Sequence, residues 1–221
     1  MYDKNHRKEV MLKIGESMDE LMDKFLVSPD KNWQPTDMLP DSNNPNFLDE
    51  IKELQELSME IDYDLFAVLI GDTITEEALP TYQSWLMGLD GVDQGERKGW
   101  TQWIRAWTAE ENRHGDMLNK YLYLSGRVNM KEMEISTQYL IGDGFDIHTA
   151  TDPYKNFVYT SFQEIATNVS HRRVGEFVKK QGNNQLAKMC AFVAADEARH
   201  GSAYKEFVRR IFELDPSEMM L

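Results

Sequence analysis

A single cysteine occurs in the 221 residues, so no disulfide can close within the chain and a reducing compartment suits it. That residue, Cys190, lies in the apolar stretch "KMCAFVAA". It reads as a small buried hydrophobe, because a reactive thiol needs an electropositive, exposed setting. Proline and glycine are sparse, at 7 and 13, so few segments need be irregular. No apolar run reaches the roughly 20 residues of a membrane span. The opening "MYDKNHRKEV" has neither the apolar stretch of a secretory signal nor the Arg/Ser-rich character of a transit peptide. A protein of the cytoplasm, or an organellar protein already processed, is expected.

Positive charge is also short. Lys and Arg number 24 against 38 Asp and Glu, a net charge of -14, which disfavours nonspecific nucleic-acid binding. The basic groups Lys4/Arg7/Lys8/Lys13, Arg172/Arg173, Lys179/Lys180 and Arg209/Arg210 read as solvated faces. Period-two alternation with turn punctuation is missing, so strands are not expected.

What is present is helical periodicity. Apolar residues recur at three and four over Met11–Leu26, Phe47–Glu60, Tyr63–Leu89, Arg97–Leu124, Met130–Ile141, Asp152–Lys180 and Gln185–Leu214. Asp152-Pro153 supplies a capping side chain and a first-turn proline. Pro80 should kink the Tyr63–Leu89 helix one turn after Glu76, because its ring blocks the usual bond. The segment "SPDKNWQPTDMLPDSNNPN" carries four prolines yet also Trp33, Met38 and Leu39, which favour burial. One domain over 1–221 is expected, with residues 1–45 forming a helix and a proline-rich excursion packed on a four-helix bundle.

Within that bundle, "WTAEENRHG" at 107–115 returns as "AADEARHG" at 194–201. Each copy holds Glu-x-x-His, at Glu111/His114 and Glu197/His200, and residues three apart share a helix face. One such motif means little. Two on long helices, with shared flanking residues, point to metal half-sites rather than solvated helix surface, and mixed carboxylate and imidazole donors suit iron, manganese or zinc. Di-iron carboxylate bundles add one Glu from each of two further helices. "YTSFQEIATNVSHRR" offers Glu164 on a stripe with Ser161, Thr167/Asn168 and His171, and "GDTITEEALPTYQ" offers Glu76 or Glu77. Spacing does not choose between those two. His171 lacks a Glu three residues earlier and reads as a satisfied core histidine, with a role behind the ligands left open.

The stretches "ITEEALPTYQ", "RAWTAEENRHGDMLNKYLYLSGRV", "YTSFQEIAT", "AADEARH" and "WQPTDMLPD" resemble the soluble acyl-carrier-protein desaturases. The resemblance runs from about Trp33 to Pro216. It implies an all-α, ferritin-like four-helix bundle, homodimeric, with a di-iron centre in its core. Two Fe(2+) per subunit would be held by Glu76, Glu111, His114, Glu164, Glu197 and His200, with Glu76 preferred over Glu77. Thr167 matches a hydroxyl residue on the oxygen-binding side. Asp196, Trp107 and Trp33 match positions associated with electron entry from reduced ferredoxin. Trp85, Gly88 and Leu89 would lie near the inner end of an acyl slot.

The implied reaction is O2-dependent insertion of a cis double bond into a saturated chain carried on acyl carrier protein, in the bacterial cytoplasm or plastid stroma. The family normally continues beyond "FELDPSEMML" with further helices and a basic region, so a C-terminally short form is expected. Two other functions share the ligand pattern: a different di-iron oxidase or peroxidase, and a bundle that holds iron without oxidising lipid.

Overall fold

The structure, a computed structural model, describes residues 4–92, 95 and 98–220. Among these, ten α-helices and one 3-10 turn occur and no strand. They are α1 (Lys4–Gly15), α2 (Met18–Phe25), α3 (Phe47–Met59), α4 (Tyr63–Glu77) and α5 (Leu79–Met87), then α6 (Gly99–Ser125), α7 (Met130–Asp143), α8 (Pro153–Lys180), α9 (Asn184–Leu214) and α10 (Pro216–Met219). The expected start of the third long helix at Arg97 lies outside the described residues; α6 is described from Gly99.

Four long rods make the bundle: α4 with α5, then α6, α8 and α9. The first is broken rather than kinked. Pro80 lacks the N–H that would bond the Glu76 carbonyl, and the chain leaves the helix at Ala78 before α5 restarts with Pro80 in its first turn. At the start of α8, the Asp152 carboxylate accepts hydrogen bonds from the Tyr154 N–H (3.0 Å) and Lys155 N–H (3.5 Å), the cap expected of Asp-Pro. Gly126 ends α6 in the left-handed region at φ 69°, which glycine adopts without strain.

Two regions differ from the sequence expectation. The first helical pattern is two helices, because Ile14–Ser17 turns between α1 and α2. Arg7, expected on a solvated face, is buried: its guanidinium donates to both Asp152 oxygens (2.7 and 2.8 Å) and covers the Tyr154 ring. In the proline-rich excursion Met38 is buried while Trp33 and Leu39 are half-buried against the same core.

The apolar core is divided in two. Around Trp100, Trp103, Phe157, Tyr204 and Phe207 one cluster joins α1, α2, α5, α6, α8 and α9. Around Met117, Tyr121, Val174, Met189 and Val193 the other joins α3, α4, α6, α8 and α9; Cys190 sits in it, buried as expected. Every rod is apolar at both ends and polar in its middle. Along α6 the core residues Trp103 and Trp107 give way to Glu110, Glu111, Arg113 and His114 before Met117 and Tyr121 resume. Along α9, Asp196, Glu197 and His200 likewise separate Val193 from Ala203. A charged layer thus crosses the bundle between two hydrophobic halves. Such a layer is costly unless its charges compensate one another or bind an ion.

Candidate metal centre and adjoining cavity

The layer contains two overlapping sets of ligand atoms. Glu76, Glu111, His114 and Glu197 form one and Glu111, Glu164 and His200 the other, with the offered atoms of each set within 4.8 Å of one another. Glu111 belongs to both. Glu76 enters from the end of α4, where it is buried, whereas Glu77 is half-exposed and its Oε1 lies towards Gly115. Of the two glutamates that spacing left open, Glu76 is the one that stands in the cluster. His114 Nδ1 lies 3.1 Å from Glu111 Oε2, 3.0 Å from Glu197 Oε1 and 3.6 Å from Glu76 Oε2. His200 Nδ1 abuts Glu111 Oε1 and lies 3.9 Å from Glu164 Oε2.

Both imidazoles turn Nδ1 inward and Nε2 outward. His114 Nε2 faces Asp196 Oδ2 at 3.3 Å and His200 Nε2 faces Glu110 Oε2 at 2.9 Å. A carboxylate behind each ring fixes its orientation and raises its basicity as a ligand. The partners are crossed between the repeats. Aligned, Glu110-Glu111-Asn112-Arg113-His114-Gly115 and Asp196-Glu197-Ala198-Arg199-His200-Gly201 each supply the acid that holds the other copy's histidine. The arginines follow suit. Arg113 donates to Asp196 (2.6 Å); Arg199 donates to Glu110 and to Asp196, at 2.6 Å each.

Glycine completes the repeat for a steric reason. A Cβ on Gly115 would lie 2.9 Å from Glu77 Oε1 and 3.2 Å from the backbone of Glu76 and Glu77. A Cβ on Gly201 would lie 3.3 Å from Glu164 Cβ. Each Glu-x-x-His helix therefore approaches its neighbour closely at the residue that delivers the single glutamate. Glu110, Arg113 and Arg199 were not among the candidate residues in the sequence. The signal for them was the length of the repeat, which extends on both sides of Glu-x-x-His.

The charge distribution matches a cation-binding layer. Burial alone would raise Glu76 and Glu111, but the adjacent imidazoles hold both below the ordinary carboxylate range. Burial and the neighbouring carboxylates push Glu164 well up and Glu197 up. Burial opposes the charge on His200, yet Glu111 and Glu110 raise it to about 9; His114 rises well above its ordinary value, chiefly through Glu111. Four buried atoms, Glu111 Oε1, His114 Nδ1, Glu164 Oε2 and His200 Nδ1, have no hydrogen-bond partner of proper geometry. Acceptors and imidazole nitrogens that converge without hydrogen-bonding fit metal ligation.

Against this layer lies a narrow cavity of about 80 Å³. Glu76, Glu111, Glu164, Glu197 and Thr167 form one wall, and Leu79, Tyr82, Trp85, Phe145 and Tyr159 supply much of the rest. Trp85 packs edge-on against Phe145 (4.9 Å between centroids) and Tyr159 (6.0 Å). Gly88 and Leu89 do not line it: Gly88 caps α5 and Leu89 is in the core. Thr167 Oγ1 lies 2.5 Å from Glu197 Oε2, towards which it can donate. Trp107 lines the cavity, whereas Trp33 does not and stands beside His114. Trp33 stacks on that ring at 5.9 Å, and its Nε1–H donates to Asp196 (3.0 Å). The structure thus groups Trp33 with Asp196 and separates Trp107 from them.

Fold and site define a ferritin-like bundle whose core presents carboxylate and histidine ligands beside an apolar cavity. Residues 6–221 match the family model described as fatty acid desaturase, and the chain belongs to that family. It is 52% identical over 206 residues to stearoyl-[acyl-carrier-protein] 9-desaturase 5 of Arabidopsis thaliana, covering 92% of this chain and 52% of that protein. It is 53% identical over 195 residues to the stearoyl-[acyl-carrier-protein] 9-desaturase of Gossypium hirsutum, covering 87% and 49%. With that of Olea europaea the figures are 49% over 218 residues, covering 97% and 56%. The chain spans about half the length of the curated relatives it matches. Among the described residues, no helix is long and apolar enough to cross a membrane.

Proposed function

We propose that this chain carries the catalytic bundle of an acyl-carrier-protein desaturase, which inserts a cis double bond into a saturated acyl chain with reduction of O2 to water. The observation that carries the reading is the shared wall: four of the six ligand side chains, Glu76, Glu111, Glu164 and Glu197, also face the apolar cavity. A methylene held there lies against the metal ligands with water excluded by Leu79, Trp85 and Leu86.

Two ferrous ions would be held by Glu76, Glu111, His114, Glu164, Glu197 and His200. Four carboxylates balance the charge of two divalent cations, which makes burial of the centre tolerable. Bound iron supplies the oxidising power that side chains lack for an unactivated C–H bond. The chain's own residues position and tune. Asp196 and Glu110 hold the histidine rings, and Thr167 lies beside Glu197 on the cavity side. Trp85, Phe145 and Tyr159 shape the far wall.

Trp33 and Asp196 form a line from the half-exposed surface to His114, which supports their assignment to electron entry from reduced ferredoxin. Trp107 serves the cavity wall in this reading. The carrier is acyl carrier protein, as in the names of the relatives, and the active unit is a homodimer in the cytoplasm or the plastid stroma.

The test is reconstitution with ferrous iron, ferredoxin, reductase and acyl carrier substrates of several lengths, followed by mass spectrometry. Unsaturated acyl product is expected. Recovery of saturated chains only, with two irons bound per chain, points instead to another oxidase or to an iron-holding bundle.

A further inference from the structure

We propose that His171 is a positioning residue that presets Glu76 and makes the metal position of Glu76, Glu111, His114 and Glu197 the tighter of the two. This rests on the reading of the layer as a two-metal centre. Glu76 is next to last in α4, where Pro80 has broken the helix. Local helical geometry therefore holds it less firmly than it holds Glu111 or Glu197, which lie deep inside continuous helices. What holds it comes from α8. The buried His171 donates from Nε2 to Glu76 Oε1 at 2.8 Å, leaving Oε2 turned towards His114 Nδ1 at 3.6 Å.

The ring is itself flanked. Its Nδ1 lies 3.8 Å from Asp72 Oδ2, one turn before Glu76 on α4, and the neighbouring Ser170 hydroxyl contacts both Asp72 oxygens at 2.9 and 3.1 Å. Ser170 and His171 of α8 thus grip Asp72 and Glu76 of α4 as a unit. The single glutamate of the other set has no histidine behind it: Glu164 Oε2 is buried without a hydrogen-bond partner, and the carboxyl bonds only to Glu197, itself one of the ligand residues. One set offers four ligand residues, with a glutamate held from outside the set by His171; the other offers three, with a glutamate that no such residue holds. Ligands oriented in advance bind metal more tightly.

The experiment titrates the metal-free full chain with cobalt(II), following heat and visible absorption, so no turnover is needed. Wild type should bind two ions with resolved constants. His171→Leu should weaken the first by on the order of 10–100-fold and leave the second unchanged. His171→Gln, which keeps an N–H donor, should recover part of the loss. Asp72→Asn, at a half-exposed position, should weaken the same step less, and Glu164→Ala should remove the weaker step. Circular dichroism checks that each variant is helical. An unchanged first constant in folded His171→Leu, or in Asp72→Asn if that leucine variant does not fold, overturns the proposal. So does equal weakening of both steps. No cobalt binding by wild type refutes the two-metal reading itself, a distinct result.

Discussion

Replacing Gly115 with alanine tests whether the repeated His-Gly dipeptide exists to let helices meet at the ligands. The added methyl would sit 2.9 Å from Glu77 Oε1, a flexible end that can swing away. It would also sit 3.2 Å from Glu76 C and Glu77 N, which are backbone and cannot. Relief requires α4 and α6 to separate by a few tenths of an ångström where Glu76 points inward. Overpacking of a filled interior costs about 1–3 kcal/mol, partly offset by the roughly 0.5–1 kcal/mol that alanine gains over glycine inside a helix. A net loss of about 1–2 kcal/mol is expected, or ~2–8 °C in melting temperature at this chain length.

A control lies on the partner helix. A Cβ on Gly71 of α4 meets nothing within 4 Å, so Gly71→Ala should be neutral or stabilising. The assay is thermal unfolding by circular dichroism with and without ferrous iron, plus iron content by elemental analysis. Gly115→Ala should lower both readouts, and iron loss should exceed what the melting shift alone produces, because Glu76 is displaced directly. Wild-type stability and two irons per chain in Gly115→Ala would falsify the close-approach argument.

Removing either half of a half-site should be more severe: Glu197→Ala and His200→Ala are expected to abolish two-iron binding while far-ultraviolet circular dichroism stays helical. Normal iron content in both would refute the ligand assignment. Glu110→Gln should weaken metal binding through His200 by about 10–100-fold, read by chelator competition; an unaltered constant would mean the outer carboxylate is dispensable. Trp85→Ala enlarges the cavity wall beside Phe145 and Tyr159 and should shift product towards longer acyl chains, measured by mass spectrometry. An unchanged chain-length profile would reduce Trp85 to a packing role. Asp152→Ala leaves buried Arg7 without its bidentate partner and removes the α8 cap; such losses typically cost about 3–5 kcal/mol, and a melting temperature within 2 °C (roughly 1 kcal/mol) of wild type would contradict it.

The chain order of the long helices, the Asp152 cap and the two Glu-x-x-His motifs on shared helix faces were all legible in the sequence. Each depends on residues within a turn or two of one another, and helical spacing encodes that geometry directly. Even the break at Pro80 was foreseen as a kink, since the missing N–H is a property of the residue itself. Arg7 was not: its burial depends on Asp152, 145 positions away, and nothing in its own neighbourhood announces that partner.

The same limit applies to the site. Glu76 and Glu77 are indistinguishable by spacing, and only the rotation of α4 against α6 turns the first inward and the second towards Gly115. The acid beside Glu111 and the acid beside Glu197 look like surface charge until the antiparallel helices bring each to the other copy's histidine. Trp85 joins the cavity while Gly88 and Leu89 do not, because residues a few positions apart emerge on different sides of a rod, and Trp107 parts from Trp33 because the first stands on α6 and the second on the proline-rich excursion. The sequence by itself determined which side chains could bind metal and on which helix faces they stand. The tertiary structure decided which of them meet, which acids orient them and where the cavity touches them. Those depend on the relative rotation and depth of four packed rods, which no single stretch of the chain contains.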